Sequence, residues 1–196
     1  MRSPNQAVEA TGYRRLTADV SQEKMKPKII TGDLLDQKVD VIVNAWNRNL
    51  IPWWLLLPQG VSGAIKKKSG VAPFCELRKY RTLALGQAVL TGAGRLPLKG
   101  IIHVAGIGHL WMPSEESVRL ATRNALIVAK NAGYHSIAFP LIGAGTGGMK
   151  REKVLELMTQ EIETAPYDGE VTIVVYDRQR GYRDRDAPCG APLPHH

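Results

Sequence analysis

The sequence predicts a three-layer α/β/α fold, in which helices cover both faces of a mixed, mainly parallel central sheet. The main observation is that the second half of the chain alternates helical and strand patterns, which is typical of parallel sheets. A second is the nearly continuous β-branched run at 39–45, as expected of a strand buried on both faces. The length of 196 residues suits one domain with a core of its own.

Strands are predicted where short apolar runs lie between turn residues, at 26–32, 39–45, 87–94, 99–106, 135–143 and 170–177. Helices are predicted at 60–70, 73–83, 114–131 and 149–165. Ser114 is a suitable N-cap for the third helix, and the sequence Asn131-Ala132-Gly133 ends it. Two apolar stripes are expected to face the core, one on each of the last two helices: Val118, Ala121, Ala125, Val128 and Ala129, then Val154, Leu157, Met158 and Ile162.

The predicted domain spans 26–177, with an N-terminal arm at 1–25 and a flexible, Pro/Gly-rich C-terminal tail at 178–196. Cys75 and Cys189 show no metal-binding or redox spacing, and we expect both to be reduced thiols. The most apolar stretch is far shorter than the roughly 20 residues that span a bilayer, and the N-terminus lacks the apolar core of a secretory signal. We therefore expect a soluble, cytoplasmic monomer with no metal, cofactor or membrane partner.

The formal net charge is +8, and the excess is concentrated at residues 61–81. This segment contains one acidic residue, Glu76, and the basic residues Lys66, Lys67, Lys68, Arg78, Lys79 and Arg81. Such a block indicates either a polyanionic partner, such as a nucleic acid, or a solvated helix face that keeps the protein soluble.

Three unusual segments lie at the carboxyl ends of predicted strands, where open α/β sheets bind ligands. They are Gly32-Asp33, Asn44-Ala45-Trp46-Asn47 and Gly143-Ala144-Gly145-Thr146-Gly147-Gly148. The last segment precedes a helix, so its bare backbone amides can approach a diphosphate where the helix N-terminus favours negative charge. It is neither a P-loop, since no GK[ST] follows, nor a dinucleotide fingerprint.

Together these segments resemble the macrodomain family, whose members hold ADP-ribose. The opening signature of the family is similar to GDLLDQKVDVIVNAWN at 32–47, and its middle signature to GQAVLTGAGRLPLKGIIHVAG at 86–106. Its second phosphate loop and following helix resemble SIAFPLIGAGTGGMKREKV at 136–154. The resemblance runs from about residue 27 to residue 176 in the family's order, and it implies a macrodomain fold.

The resemblance also implies a role for each matching residue. Asp33 would accept a hydrogen bond from the adenine amino group beside the backbone amide of Leu34, or else it is a turn or cap residue. Asn47 would bind the hydroxyls of the distal ribose, or else it is a turn residue. The diphosphate would lie between two loops, formed by Gly60, Val61 and Ser62 and by Gly143, Ala144, Gly145, Thr146 and Gly147.

Other polar and aromatic residues near these motifs have more ordinary explanations. Asn44 is expected to tie the strand end to neighbouring backbone, and His103, in an apolar run, to be a satisfied core histidine. Trp46, Trp53 and Trp54 would either stack on the ribose or pack the long loop 48–59 onto the core.

The chain departs from the family pattern at the catalytic loop. Members that hydrolyse ADP-ribose esters of acidic side chains usually carry a glycine run and GVDG after the second asparagine. Here the loop 48–59 is about five residues longer, and we expect it to lie over the distal ribose. Ser62 stands where the aspartate would be, and a serine without a partner cannot act as a general base at neutral pH. Gly147 stands where many members place an aromatic ring.

Three functions follow from this comparison. The first is an ADP-ribosylhydrolase, in which Asn47 positions the ribose, Ser62 lies beside the attacking water, and the target is a modified macromolecule such as an ADP-ribosylated nucleic acid. The second is a reader module that binds ADP-ribose without cleaving it, which the missing aspartate supports. The third is a nucleic-acid-binding protein that merely keeps the fold.

Overall fold

The computed structural model describes residues 25–46, 60–106, 113–145 and 148–176. The strands are β1 Lys28–Thr31, β2 Val41–Trp46, β3 Ala88–Thr91, β4 Gly100–Ala105, β5 Ser136–Pro140 and β6 Glu170–Val175. They form one sheet in the order β1-β6-β5-β2-β4-β3. Every neighbouring pair is parallel except β3 with β4, so the predicted mixed, mainly parallel sheet is confirmed.

The helices are α1 Gly60–Ser69, α2 Ala72–Arg78, α3 Glu115–Asn131 and α4 Arg151–Thr164, and a 3₁₀ turn at Leu34–Asp36 leads from β1 towards β2. The predicted second helix is too long, because it ends at Arg78 and Arg81 adopts a left-handed φ of 48° that an α-helix cannot contain. The strand predicted at 87–94 is also too long, because the chain turns after Thr91 and Leu96 N donates to Ala93 O. No helix in the described ranges is long and apolar enough to cross a membrane.

The two faces of the sheet carry separate cores. Val41 and Val43 of β2 belong to the core beneath α3 and α4. Ile42 and Trp46 belong to the core beneath α1, α2 and the 3₁₀ turn. Because both faces are covered, the strands are apolar over most of their length, and the predicted three-layer arrangement is confirmed.

Helix α3 begins as its sequence predicts. The Ser114 hydroxyl accepts from Ser117 N, and the Ser117 side chain accepts from Ser114 N in return. Val128 of the predicted stripe is only half-buried, and Leu126 is fully buried instead. The other predicted core residues of the last two helices are fully buried: Val118, Ala121, Ala125, Ala129, Val154, Leu157, Met158 and Ile162.

Some predictions fall outside the described residues. These are the N-terminal arm up to residue 24, the tail at 178–196 and the state of Cys189. Cys75 is an exposed free thiol on α2.

Candidate functional site

The carboxyl ends of the parallel strands meet at one edge of the sheet, and the helices that follow β2 and β5 pack on opposite faces. β2 and β5 are neighbours, but the chain passes from β2 to α1 on one face and from β5 to α4 on the other. Such a divergence opens a crevice, which is where open α/β sheets bind ligands. The two predicted phosphate loops, at Gly60–Ser62 and Gly143–Gly145, flank this crevice.

Asp33 lies at the same edge, directly after β1. Gly32 N donates to Val175 O at 3.0 Å, which fixes the turn against the end of β6. Asp33 Oδ1 accepts from Leu35 N at 2.8 Å and caps the 3₁₀ turn. This cap uses one of the two carboxylate oxygens, so acceptor capacity for a ligand remains. The Leu34 side chain is buried, so only its backbone can meet a ligand.

Ser62 is half-buried in the first turn of α1, after Gly60 and Val61. Its hydroxyl donates to Asn44 Oδ1 at 2.6 Å and lies 3.3 Å from Ala45 O. These contacts hold the first turn of α1 against the carboxyl end of β2. Because the first amides of a helix lack intrahelical partners and carry the positive end of the helix dipole, this turn is suited to bind an anion.

A buried polar network lies behind Ser62, and the sequence analysis missed its connections. Asn44 Nδ2 lies 3.1 Å from His103 Nδ1, and His103 Nε2 lies 2.9 Å from Thr91 Oγ1. Burial lowers the pKa of His103 to about 3, so the ring is neutral. His103 is the satisfied core histidine that was predicted, whereas Asn44 binds side chains instead of neighbouring backbone. The available signal was one polar residue within each of three apolar strands.

The second glycine loop is described up to Gly145. Gly143 is buried against Pro113, and Gly145 is exposed. Several residues with predicted roles lie outside the described ranges, and those roles stay predictions: Asn47, the loop 48–59 with Trp53 and Trp54, Thr146 and Gly147.

Trp46, the last residue of β2, is a core residue. Its side chain is buried, and its ring centroid lies 5.5 Å from that of Phe74 on α2. The Phe74 ring in turn packs edge-on against the His103 ring, with the ring centroids 5.6 Å apart. Trp46 therefore packs α2 onto the sheet, and the alternative in which it stacks on a ribose is not available to it.

The three consecutive lysines lie in the last turn of α1. The helix starts at the crevice and ends at the opposite edge of the sheet. These lysines therefore lie about 6–9 Å from Ser62, measured along the axis of α1. Lys68 Nζ lies 3.6 Å from Asp36 Oδ1 in an exposed ion pair that contributes little stability. Lys66 and Lys67 line a surface groove of about 500 Å³ together with Arg95.

Arg95 is a basic residue that the sequence analysis missed, because it is distant in sequence from the block at 61–81. Arg95 N donates to Ser69 O at 2.9 Å, and the guanidinium donates to Lys67 O at 3.1 Å. These bonds cap the end of α1 and fix a positive charge beside the lysines.

The remaining basic residues of the block lie elsewhere. Arg78 ends α2, and Lys79 and Arg81 follow it on the segment that runs towards the carboxyl edge of the sheet; all three are exposed. Gly86 N donates to Ala105 O at 2.8 Å where this segment reaches that edge. The fold therefore divides the basic block into one group at the far end of α1 and another that leads back towards the crevice.

The fold and the site define an α/β domain with a ligand crevice at the carboxyl edge of a mixed sheet. Residues 43–158 match the family model described as Macro domain. The chain belongs to this family.

Curated relatives and solved structures resemble most of the chain. It is 34% identical over 146 residues to an O-acetyl-ADP-ribose deacetylase of Klebsiella pneumoniae, covering 70% of this chain and 79% of that protein. It is 36% identical over 161 residues to a macro domain-containing protein of Streptomyces griseus, covering 76% and 87%. The Oceanobacillus iheyensis macrodomain with ADP superimposes with a TM-score of 0.66 at 28% identity, covering 80% of this chain and 87% of that one.

Proposed function

We propose that this protein binds ADP-ribose in the crevice between β2 and β5 and releases it by hydrolysis from a modified target. The observation that carries the proposal is the first turn of α1, where Ser62 is held by Asn44 and Ala45 at the carboxyl end of β2. The helix amides of this turn and the glycine loop after β5 flank the crevice from two sides. The relatives support the ligand class, since one is named O-acetyl-ADP-ribose deacetylase and a structural relative is described with ADP.

In the proposed reaction, the two loops bind the diphosphate through backbone amides and the positive end of α1. The distal ribose lies beside Ser62 and, by the family resemblance, Asn47. A water held between Ser62 and the ligand's own phosphate attacks C1″, and the bond from C1″ to the target atom breaks with oxocarbenium character. The water oxygen remains on C1″, and one water proton passes to the departing atom of the target.

The activity is tested by incubating the full chain with ADP-ribosylated peptides and oligonucleotides and quantifying the released ADP-ribose. O-acetyl-ADP-ribose, with acetate as the measured product, belongs in the same series because of the name of the relatives. Its acetyl ester is cleaved at the carbonyl carbon, so acetate release alone would contradict the proposed attack at C1″. We expect release that Ser62→Ala strongly reduces but does not abolish, since the ligand's own phosphate still orients the water. A protein that binds ADP-ribose but releases nothing from any substrate would be a reader module, and the hydrolase proposal would then be wrong.

Asp33 is expected to contribute to the affinity for ADP-ribose. We expect free ADP-ribose to bind in the micromolar range, about −8 kcal/mol. Asp33→Ala should weaken this by about 1.5–3 kcal/mol, the contribution of a charge-assisted hydrogen bond. It should also lower the free energy of unfolding by about 1 kcal/mol, because the cap on Leu35 N is lost.

The matched control is Asp33→Asn, which keeps a side-chain oxygen for the cap but removes the charge and presents an amide donor to the adenine amino group. It should unfold like the wild type and bind ADP-ribose as weakly as Asp33→Ala. Calorimetry in which Asp33→Asn binds with wild-type affinity would show that the aspartate serves the turn alone.

We propose further that the modified target is a nucleic acid. The two groups of basic residues support this, because one lies beyond Ser62 along α1 and the other leads back towards the crevice. A nucleic-acid strand whose ADP-ribose occupies the crevice would meet Lys66, Lys67 and Arg95 on one path and Arg78 and Lys79 on the other.

The cytoplasmic location and the monomeric state stay predictions.

The nucleic-acid proposal predicts a salt dependence that an ADP-ribosylated peptide would not share. Affinity for an ADP-ribosylated oligonucleotide should fall linearly with log salt, with a slope of about −0.7 per phosphate contacted in a single strand. Lys66→Gln/Lys67→Gln should reduce the steepness by about 1.4 if both lysines contact phosphates. Arg78→Gln/Lys79→Gln tests the second path in the same way.

The control variant, Lys26→Gln/Lys130→Gln, removes two exposed positive charges elsewhere on the fold and changes the net charge equally. It should leave the salt dependence unchanged. If all three double variants behave alike, or if oligonucleotides are not processed while peptides are, the basic block is a solvated surface and the target is a protein.

A further inference from the structure

Four hydrogen-bonded side chains form a relay that runs from the crevice into the core: Ser62, Asn44, His103 and Thr91. Asn44 and His103 are fully buried, and Thr91 is nearly so. They belong to three adjacent strands, β2, β4 and β3, so the sheet itself holds them in line. The proposed reaction uses Ser62 but assigns nothing to the three residues behind it.

The contacts of Thr91, at the inner end of the relay, favour one direction for its hydrogen bonds. Thr91 Oγ1 lies 3.1 Å from Gly92 O and 3.5 Å from Ile101 O. A carbonyl oxygen can only accept, so these two neighbours favour a Thr91 hydroxyl that donates to a carbonyl and accepts from His103 Nε2, which lies 2.9 Å away. A neutral imidazole has one N–H, so His103 Nδ1 is bare.

The outer end follows from this tautomer. The bare Nδ1 of His103 accepts from Asn44 Nδ2, which turns Asn44 Oδ1 towards Ser62. Among the residues that the structure describes, the other hydrogen-bond partner of the Ser62 hydroxyl is Ala45 O, which also only accepts. The proton of Ser62 is therefore directed into the protein whichever of the two oxygens takes it.

We infer that Thr91, His103 and Asn44 are positioning residues that make Ser62 a pure hydrogen-bond acceptor towards the crevice. An acceptor at this point binds one proton of the attacking water and leaves a lone pair of that water directed at C1″. A serine free to rotate would instead compete as a donor for that lone pair. The inference rests on the proposed hydrolysis for its kinetic consequence, whereas the tautomer of His103 and the direction of the bonds do not depend on it.

Thr91→Val tests the relay at its far end, away from any ligand. It removes the acceptor of His103 Nε2–H while keeping the branched shape of the side chain. The imidazole can then place its proton on Nδ1, which reverses Asn44 and makes it a donor to Ser62. We expect kcat to fall by about 10–100-fold, as when a residue that orients a functional group by a hydrogen bond is removed. The KM and the Kd for ADP-ribose should change by less than about threefold.

Two comparisons separate this role from a merely structural one. Thr122→Val deletes an equally buried hydroxyl that donates within α3 to Val118 O, so it should cost stability without the loss of kcat. Thr91→Val should have no further effect on kcat in a Ser62→Ala background, because its action passes through Ser62.

The tautomer is read by ¹⁵N NMR of the full chain, with His103→Gln identifying the signal among its five histidines. The expected result is an Nε2–H tautomer in the wild type and in Ser62→Ala, and its loss in Thr91→Val. An Nδ1–H tautomer in the wild type would overturn the inference, and so would equal losses of kcat from Thr91→Val with and without Ser62. If the wild type hydrolyses nothing, the proposed function fails, and the tautomer still decides the direction of the relay.

Discussion

Replacing Gly94 by alanine is expected to lower the free energy of unfolding by about 3–5 kcal/mol, the sum of a left-handed backbone and a steric clash. Gly94 has a φ of 60°, and a Cβ there would lie 2.2 Å from Ser69 O. The carbonyl cannot easily move, because it accepts from Arg95 N and ends α1. The turn after β3 and the end of the helix would have to separate.

Gly133→Ala is the matched control. Its φ is 70°, but no heavy atom lies within 4 Å of the position of a Cβ, so only the backbone cost of about 1–2 kcal/mol applies. Urea unfolding should therefore separate the two variants by about 2 kcal/mol or more. Gly94→Ala should also weaken ADP-ribose binding, because displacing α1 displaces Ser62 at its other end. Equal stabilities would mean that the contact with Ser69 relaxes without cost.

Acid should destabilise the protein well above the pH at which carboxylates titrate, because His103 is buried in its neutral form. The pKa of its ring is lowered from 6.5 to about 3, so below pH 6.5 the unfolded chain takes up a proton that the native protein does not. The stabilising contribution is complete above the unfolded pKa and is lost as the pH falls towards 3. The slope approaches about 1.4 kcal/mol per pH unit once the unfolded histidine is mostly protonated, so the loss between pH 6.5 and 4.5 is roughly 2 kcal/mol.

His103→Gln isolates this contribution, since glutamine does not titrate. The variant should be less stable than the wild type at neutral pH, and urea unfolding should show the two stabilities converging as the pH falls. Asp40 does not interfere in this range, because hydrogen bonds from Lys99 and from His135 N lower its pKa below the usual 3.8. Its contribution is present above pH 3.8 and is lost only as the pH falls further. Parallel stability curves for wild type and variant would contradict the prediction.

Protonation of His103 should also affect activity, because it breaks the relay of hydrogen bonds that ends at Ser62. A protonated imidazole donates from both nitrogens, so it could not accept from Asn44. Activity should therefore fail where the native His103 becomes charged, even in molecules that remain folded.

Much of the fold was predictable because the local spacing of apolar residues indicates which faces of a strand or helix are buried. The apolar run at 39–45 needs cover on both faces, and the stripe of α4 needs a sheet to pack on, so layers and strand types follow. The two loops that we propose to bind the phosphates could be chosen from the sequence because glycines beside a helix start are local features. The limits of α2 and β3 were not, since they depend on the turns at Arg81 and Leu96, which the local pattern does not encode.

What the sequence by itself determined is the class of domain and the order of its binding segments along the chain. Only the tertiary structure decided that Ser62 is oriented by Asn44, His103 and Thr91, which are separated in sequence and meet because β2, β4 and β3 lie side by side. It likewise brought Arg95 to the lysines and divided the basic block between the far end of α1 and the segment that begins at the end of α2. Hydrogen bonds and charges act over a few ångströms in space, and sequence separation carries no information about that distance until the sheet is assembled.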